Sequence, residues 1–208
     1  MKEEYLTILG SAESTIIIEK SKFICNIKGV DSEDEAKDFV KSIKKQYSLA
    51  THNCYAYIAD EQGLTAKFSD DGEPSSTAGL PMLEVLKGRG LFKVVAVVTR
   101  YFGGIKLGTG GLVRAYSSSV VSGIEQAKIV SVINSVEVEI SLDYDKYSKL
   151  LSIVNGDIKI LATDFDQNVS VKLILPQKDY DKFEKTVQEN FNGKVIPKVK
   201  GQRYFCYK

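Results

Sequence analysis

Arg100-Tyr101-Phe102-Gly103-Gly104-Ile105-Lys106-Leu107-Gly108-Thr109-Gly110-Gly111-Leu112-Val113-Arg114 holds five glycines between two strongly patterned segments. Leu91 to Thr99 reads as an apolar strand and about Leu112 to Ala127 as a helix, so Tyr101 to Gly111 is a glycine-rich turn joining them. Glycine reaches positive φ freely and lets backbone N–H groups approach an anion, while the following helix aims its positive dipole end at the same place. Gly103, Gly104, Gly108, Gly110 and Gly111 are therefore candidate phosphate contacts, with Arg100, Lys106 and Arg114 as cations. From Lys87 to Arg114 there are six basic residues, Lys87, Arg89, Lys93, Arg100, Lys106 and Arg114, and no acidic one. Tyr101 and Phe102 offer ring faces to an unpaired base, a contact worth about 1–3 kcal/mol. The combination suits single-stranded or structured RNA. A purely architectural role, a tight turn with close packing, fits the same glycines. A nucleotide-hydrolysing P-loop does not, because Gly108 is followed by Thr109 where Lys is required.

Working outward, Thr15 to Glu19 and Phe23 to Val30 read as strands that meet near Lys20 and Ser21. Ser32 with Glu35 forms a capping-box pattern ahead of a helix whose apolar stripe is Ala36, Phe39, Val40, Ile43 and Tyr47. Asn53 to Ala59 and Leu64 to Phe68 are strands around the turn Asp60 to Gly63, and Ser69 to Ser76 is a polar loop expected to be exposed. Thr77 is the expected cap of a short helix reaching about Lys87. The pattern restarts after Gln126. From Val132 it runs strand, helix (Asp143 to Asn155), strand (Asp157 to Ala162), strand (Val169 to Leu175), helix (Lys178 to Phe191), strand (Lys194 to Tyr207), a ferredoxin-like βαββαβ unit. The fold class is α+β, with domains over 1–131 and 132–208.

The 208 residues are 43% hydrophobic and 26% charged, the balance of a globular chain. Apolar runs such as Val94 to Val98 fall far short of the roughly 20 residues of a membrane span. Glu3 and Glu4 stand where a secretory leader is basic, and Cys25, Cys54 and Cys206 form no CxxC pair, so a reducing cytoplasm is expected. One histidine, His52, rules out multi-histidine metal sites. The net charge of +1 conceals the local basic span.

Asp70-Asp71-Gly72-Glu73 places three carboxylates where a divalent cation or acid–base chemistry is conceivable, against the commoner solvated turn. His52 near Cys54 is read as a structural or ligand-contact residue. Lys194, Lys198, Lys200, Arg203 and Lys208, interleaved with Tyr204, Phe205 and Tyr207, fit either a second RNA face or an edge strand protected by charge.

The spacing from Gly79 through Met82-Leu83, Leu86, Leu91, Val97-Val98, Arg100 to Gly104, Leu107 and Gly108 resembles the signature of the Impact/YigZ family. Asp70 to Ser75 with Thr77-Ala78-Gly79, and Thr51 to Tyr57, are similar to further hallmarks of that family. Ser76 departs from them, standing where glycine is expected in many members. The resemblance spans nearly the whole chain. It implies an N-terminal domain with the fold shared by a small-subunit ribosomal protein and the fourth domain of elongation factor G, then a ferredoxin-like domain resembling that factor's last one. It also implies a translation-related RNA- or ribosome-binding role. Eukaryotic relatives restrain a stress kinase by competing for its activator, through an additional domain with no counterpart here.

The expectation is a non-catalytic binding protein in translation regulation, without cofactor, metal or membrane partner, its partner RNA or the ribosome, with a protein of translation as a further candidate. His52, Tyr55, Asp70, Asp71, Glu73, Ser75 and Thr77 are expected to shape the same face as the glycine loop. Two alternatives stay open. One is an enzyme on a phosphorylated small molecule or nucleotide, using the glycine loop with Asp70, Asp71, Glu73 or His52; the other is a protein-interaction module built on Tyr101 and Phe102.

Overall fold

The computed structural model describes residues 3–207 and is α+β throughout. It divides into two compact units, Glu4–Ser131 and Val132–Lys208.

The first unit contains β1 (Glu4–Ile8), β2 (Ser11–Ile18), β3 (Ser21–Gly29), α1 (Glu33–Gln46), β4 (His52–Ile58), β5 (Ala66–Ser69), α2 (Gly79–Gly88), β6 (Val94–Tyr101) and α3 (Gly108–Gln126). Its five-stranded antiparallel sheet has the order β2-β3-β6-β4-β5. The run Val94 to Val98 is continuous because β6 is central and buried on both faces. One face, with Val95, Val97 and Tyr57, packs on Ala36, Val40 and Ile43 of α1. The other, with Phe23, Cys25, Ile27, Cys54, Ala96 and Val98, packs on Met82 and Leu86 of α2 and Leu112, Tyr116 and Val120 of α3. Ser32 caps α1 by accepting from the Glu35 N–H, while the Glu35 carboxylate reaches back to Asp31 N–H.

Three expectations change here. The sequence pattern predicts no strand before Thr15, yet β1 forms; in the first unit Leu6 lies beside Leu91 and its carbonyl accepts from Phe92 N–H. The helix predicted from Leu112 starts at Gly108, so Gly108, Gly110 and Gly111 belong to the first turn of α3 and the connecting loop shrinks to Phe102–Leu107. Tertiary packing of the apolar stripe overrides the poor helix propensity of glycine. Thr77 does not cap α2: its hydroxyl donates to Pro74 O, and it is buried.

The second unit contains the rest of β7 (Ile129–Leu142), then α4 (Tyr144–Ile153), β8 (Lys159–Phe165), β9 (Val169–Pro176), a short 3-10 turn (Gln177–Asp179), α5 (Tyr180–Asn190) and β10 (Lys198–Cys206). The spatial order β10-β7-β9-β8, antiparallel throughout, is the split βαββαβ arrangement. Val136, Val138, Ile140, Val171 and Leu173 of the sheet pack on Leu150 of α4 and on Phe183 and Val187 of α5.

Candidate functional site

The glycine loop leaves β6 at its end and is pinned to the β2–β3 turn. Gly103 must be glycine, since a Cβ there would lie 2.0 Å from the Lys20 carbonyl carbon, and its N–H donates to Ser21 Oγ at 3.1 Å. Phe102 N–H donates to Thr51 Oγ1. Gly104 and Gly108 take φ of +86° and +67°, the left-handed region in which glycine costs least. Gly108, Gly110 and Gly111 then open α3, which has no side-chain cap and no acidic residue in its first turn. A groove of about 470 Å³ runs beside that turn, with Lys106, Leu107 and Arg114 on one side and Ile18 and Glu19 on the other. Lys106 and Arg114 are exposed, and neither is paired with a carboxylate among the described residues.

Arg100 is different. It follows Val94, Ala96 and Val98 on the core-facing side of β6, is 5% exposed, and its guanidinium meets Glu73 Oε1 at 2.6 Å. Its Cζ lies 5.4 Å from the centre of the Phe23 ring and 5.6 Å from that of Phe102, and Nη2 reaches Ser21 Oγ at 3.5 Å. Arg100 is thus removed from the outward cations and holds the loop from beneath. Tyr101 and Phe102 do not form one aromatic platform. Tyr101 continues the face of β6 that packs on α1, whereas Phe102 stands 48% exposed.

The loop expected to be exposed folds inward around its carboxylates. Asp70 accepts from the N–H groups of Ser76, Ala78 and Gly79 at 2.8–3.0 Å, so it caps α2 from nine positions upstream. Asp71 accepts from Asn53 N–H and pairs with Lys44. Burial acts to raise its pKa, but those two partners and the Lys44 charge bring the carboxyl below its ordinary value. Glu73 is 8% exposed and accepts from both Arg100 and Tyr116 Oη. Ser75 is exposed, and Thr77 is buried and turned away from solvent. Ser76 has φ of +61°, which explains in backbone terms why glycine is expected at that position.

His52 is half-buried, with Nδ1 2.8 Å from Asp71 O; a carbonyl only accepts, so Nδ1 carries the proton. Its Nε2 faces Glu73 Oε2 at 3.8 Å. Cys54, two positions along β4 on the same face, donates to Asp70 O at 2.9 Å with Tyr116 Oη also 3.4 Å from its sulfur, and burial pushes its thiol up to about 12. Burial likewise holds the Tyr116 phenol protonated. Tyr55 lies on the opposite face of the sheet, stacked on Tyr57 beneath Lys44, and does not share the face of His52. With Asp70, Asp71 and Glu73 all engaged internally, no carboxylate of this loop is left free for proton transfer. Among the described residues no group of three or more His, Cys, Asp or Glu is arranged to hold a metal.

Tyr116, Ser21 and Lys44 complete this cluster without having stood out in the sequence, and Thr51 stood out only as the first residue of a family hallmark. Tyr116 alone carried a signal, a hydroxyl in the stripe Leu112, Tyr116, Val120, Ile124. In the second unit, Lys200 and Arg203 of β10 pair with Glu139 and Glu137 of β7, which favours a charge-protected edge strand over an RNA face. Lys208 lies outside the described residues.

Residues 19–124 match the sequence model of the Impact N-terminal domain. Over 195 residues the chain is 43% identical to "IMPACT family member YvyE" of Bacillus subtilis, covering 93% of this chain and 90% of that protein. It is 34% identical to "IMPACT family member YigZ" of Escherichia coli over 195 residues, 90% of this chain and 95% of that one. A solved structure titled "Crystal structure of an hypothetical protein" superposes with a TM-score of 0.63 at 31% identity, covering 97% of this chain and 99% of the other. No helix among the described residues is long and apolar enough to cross a membrane.

Proposed function

The chain belongs to the Impact family, and from that premise we propose that it is a non-catalytic RNA- or ribosome-binding protein acting in translation, in the cytoplasm. One observation carries the proposal. Lys106 and Arg114, exposed and free of carboxylate partners, flank a groove at the uncapped start of α3. Phosphate oxygens gain from both the fixed dipole and the mobile cations. Phe102, backed by the Arg100 guanidinium, offers its half-exposed ring to an unpaired base beside that groove. Glu19 on the facing wall limits how far the positive field extends.

The contact set is therefore Lys106, Arg114, Phe102 and the backbone of Gly104, Gly108, Gly110 and Gly111. Arg100, Gly103, Asp70, Asp71, Glu73 and Thr77 build it without touching ligand, and His52 and Ser75 are not among the residues that line its groove. Enzymatic action on a phosphorylated small molecule has less support, since the carboxylates it needs are engaged. The test is co-sedimentation of the full chain with 30S and 70S ribosomes, and binding to single-stranded RNA, for wild type and a Lys106→Ala, Arg114→Ala double variant. Association that the double variant loses supports the proposal; association that is absent, or equal in both, overturns it.

A further inference from the structure

The second unit has its own cavity, about 340 Å³, between the α4–β8 connection and the start of α5. Phe183, buried, forms part of its wall with Ile153 and Ile158, and Asp157, Asp179 and Lys182 supply the charges of its lining. The three charges are not spent on one another. Asp179 stands at the N-cap of α5, yet its carboxylate caps no N–H. Lys182 lies three residues on, the spacing at which Lys146 pairs with Asp143 and Lys87 with Glu84 in this protein, but no ion pair joins Lys182 to Asp179. Asp157 likewise has no hydrogen-bond or ion-pair partner among the described residues. Both aspartates are near enough to Tyr207 to add to the upward push that burial gives its phenol.

Unpaired charges of both signs beside an apolar wall complement a small molecule that carries both signs itself. We propose that this cavity binds a free α-amino acid with an apolar side chain. Its ammonium faces Asp157 and Asp179, its carboxylate faces Lys182, and its side chain lies on Phe183, Ile153 and Ile158. The arrangement suits that class, because Asp179, at the N-cap of α5, and Lys182, in its first turn, line the same cavity, and an α-amino acid separates its charges by a single carbon. The volume is near the lower end of ligand cavities, about 300–1,000 Å³, which fits a molecule of that size. An inorganic divalent ion is a poorer match, since the lining lacks a third carboxylate, imidazole or thiolate among the described residues. This inference concerns the second unit alone and does not depend on RNA binding by the first.

The test titrates the full chain by calorimetry and ligand-observed NMR with L-leucine, N-acetyl-L-leucine and L-leucinamide. L-leucine is expected to bind saturably, with Kd on the order of 1 mM or tighter. Removing the ammonium by acetylation, or the carboxylate as the amide, should weaken binding at least about tenfold. Asp179→Asn and Lys182→Ala should each do the same while the thermal midpoint stays at its wild-type value. No saturable binding of L-leucine, equal binding of its acetylated form, or full binding by both variants overturns the proposal.

Discussion

Replacing Glu73 by alanine leaves a guanidinium buried without its counter-charge. In the native protein Glu73 Oε1 is 2.6 Å from Arg100 Nη1 and 2.7 Å from Tyr116 Oη, and both charged partners are more than nine-tenths buried. Arg100 Nε already lacks a hydrogen-bond partner, so the guanidinium has little with which to compensate. Removing one member of a buried pair costs about 3–5 kcal/mol, which for a unit of this size is a midpoint drop of roughly 10–20 °C. Glu73→Gln keeps the shape and an acceptor and removes only the charge, so its cost should be smaller, about 1.5–3 kcal/mol. Combining Glu73→Gln with Arg100→Met removes both charges. That double variant should fall short of the summed single costs by at least about 1 kcal/mol. The assay is urea unfolding of the full chain followed by circular dichroism, because the chain has no tryptophan. A cost below about 1 kcal/mol for Glu73→Ala would mean that the pair is solvated, and would refute the placement of Arg100 beneath the loop.

Other consequences follow from the same loop and core. Asp70→Ala strips three backbone N–H groups of their acceptor at the start of α2 and should destabilise by about 2 kcal/mol in the same unfolding assay. Ser76→Gly relieves a left-handed φ of +61° and should stabilise by about 0.5–1 kcal/mol, less than the full strain because glycine also loosens the unfolded chain. Cys25 and Cys54 have thiols raised to about 12, chiefly by burial. Their contribution to stability is fully present below the ordinary thiol pKa of 9.0 and is lost as pH rises from there through about 12. At pH 8, roughly neutral to these groups, a thiol reagent should therefore label native Cys206 quickly and the other two only after unfolding.

The order of elements was largely legible, because apolar periodicity and turn residues are local. What escaped were partnerships across long sequence separations. Arg100 reads as a surface cation by type, and its burial depends on Glu73, 27 positions away. The alternation Val94, Ala96, Val98, Arg100 carries a signal of its core-side position that a strand ended at Thr99 leaves unread. The same alternation separates Tyr55 from His52, since residues an odd number apart on β4 face opposite ways. The capping of α2 was invisible because its acceptor is Asp70 and not the adjacent Thr77. The start of α3 was misplaced because three glycines in its first turn speak against a helix locally, while Leu112, Ala115 and Tyr116 fix it by packing.

The most direct test of the central claim is the salt dependence of RNA and ribosome binding, measured for wild type and for the Lys106→Ala, Arg114→Ala double variant. Each lost phosphate contact should flatten the plot of log K against log salt by about 0.7–0.9, so the two slopes should differ by roughly 1.4–1.8, with weaker binding throughout. Equal slopes, or no binding by the wild type at low salt where attraction is strongest, would contradict the account.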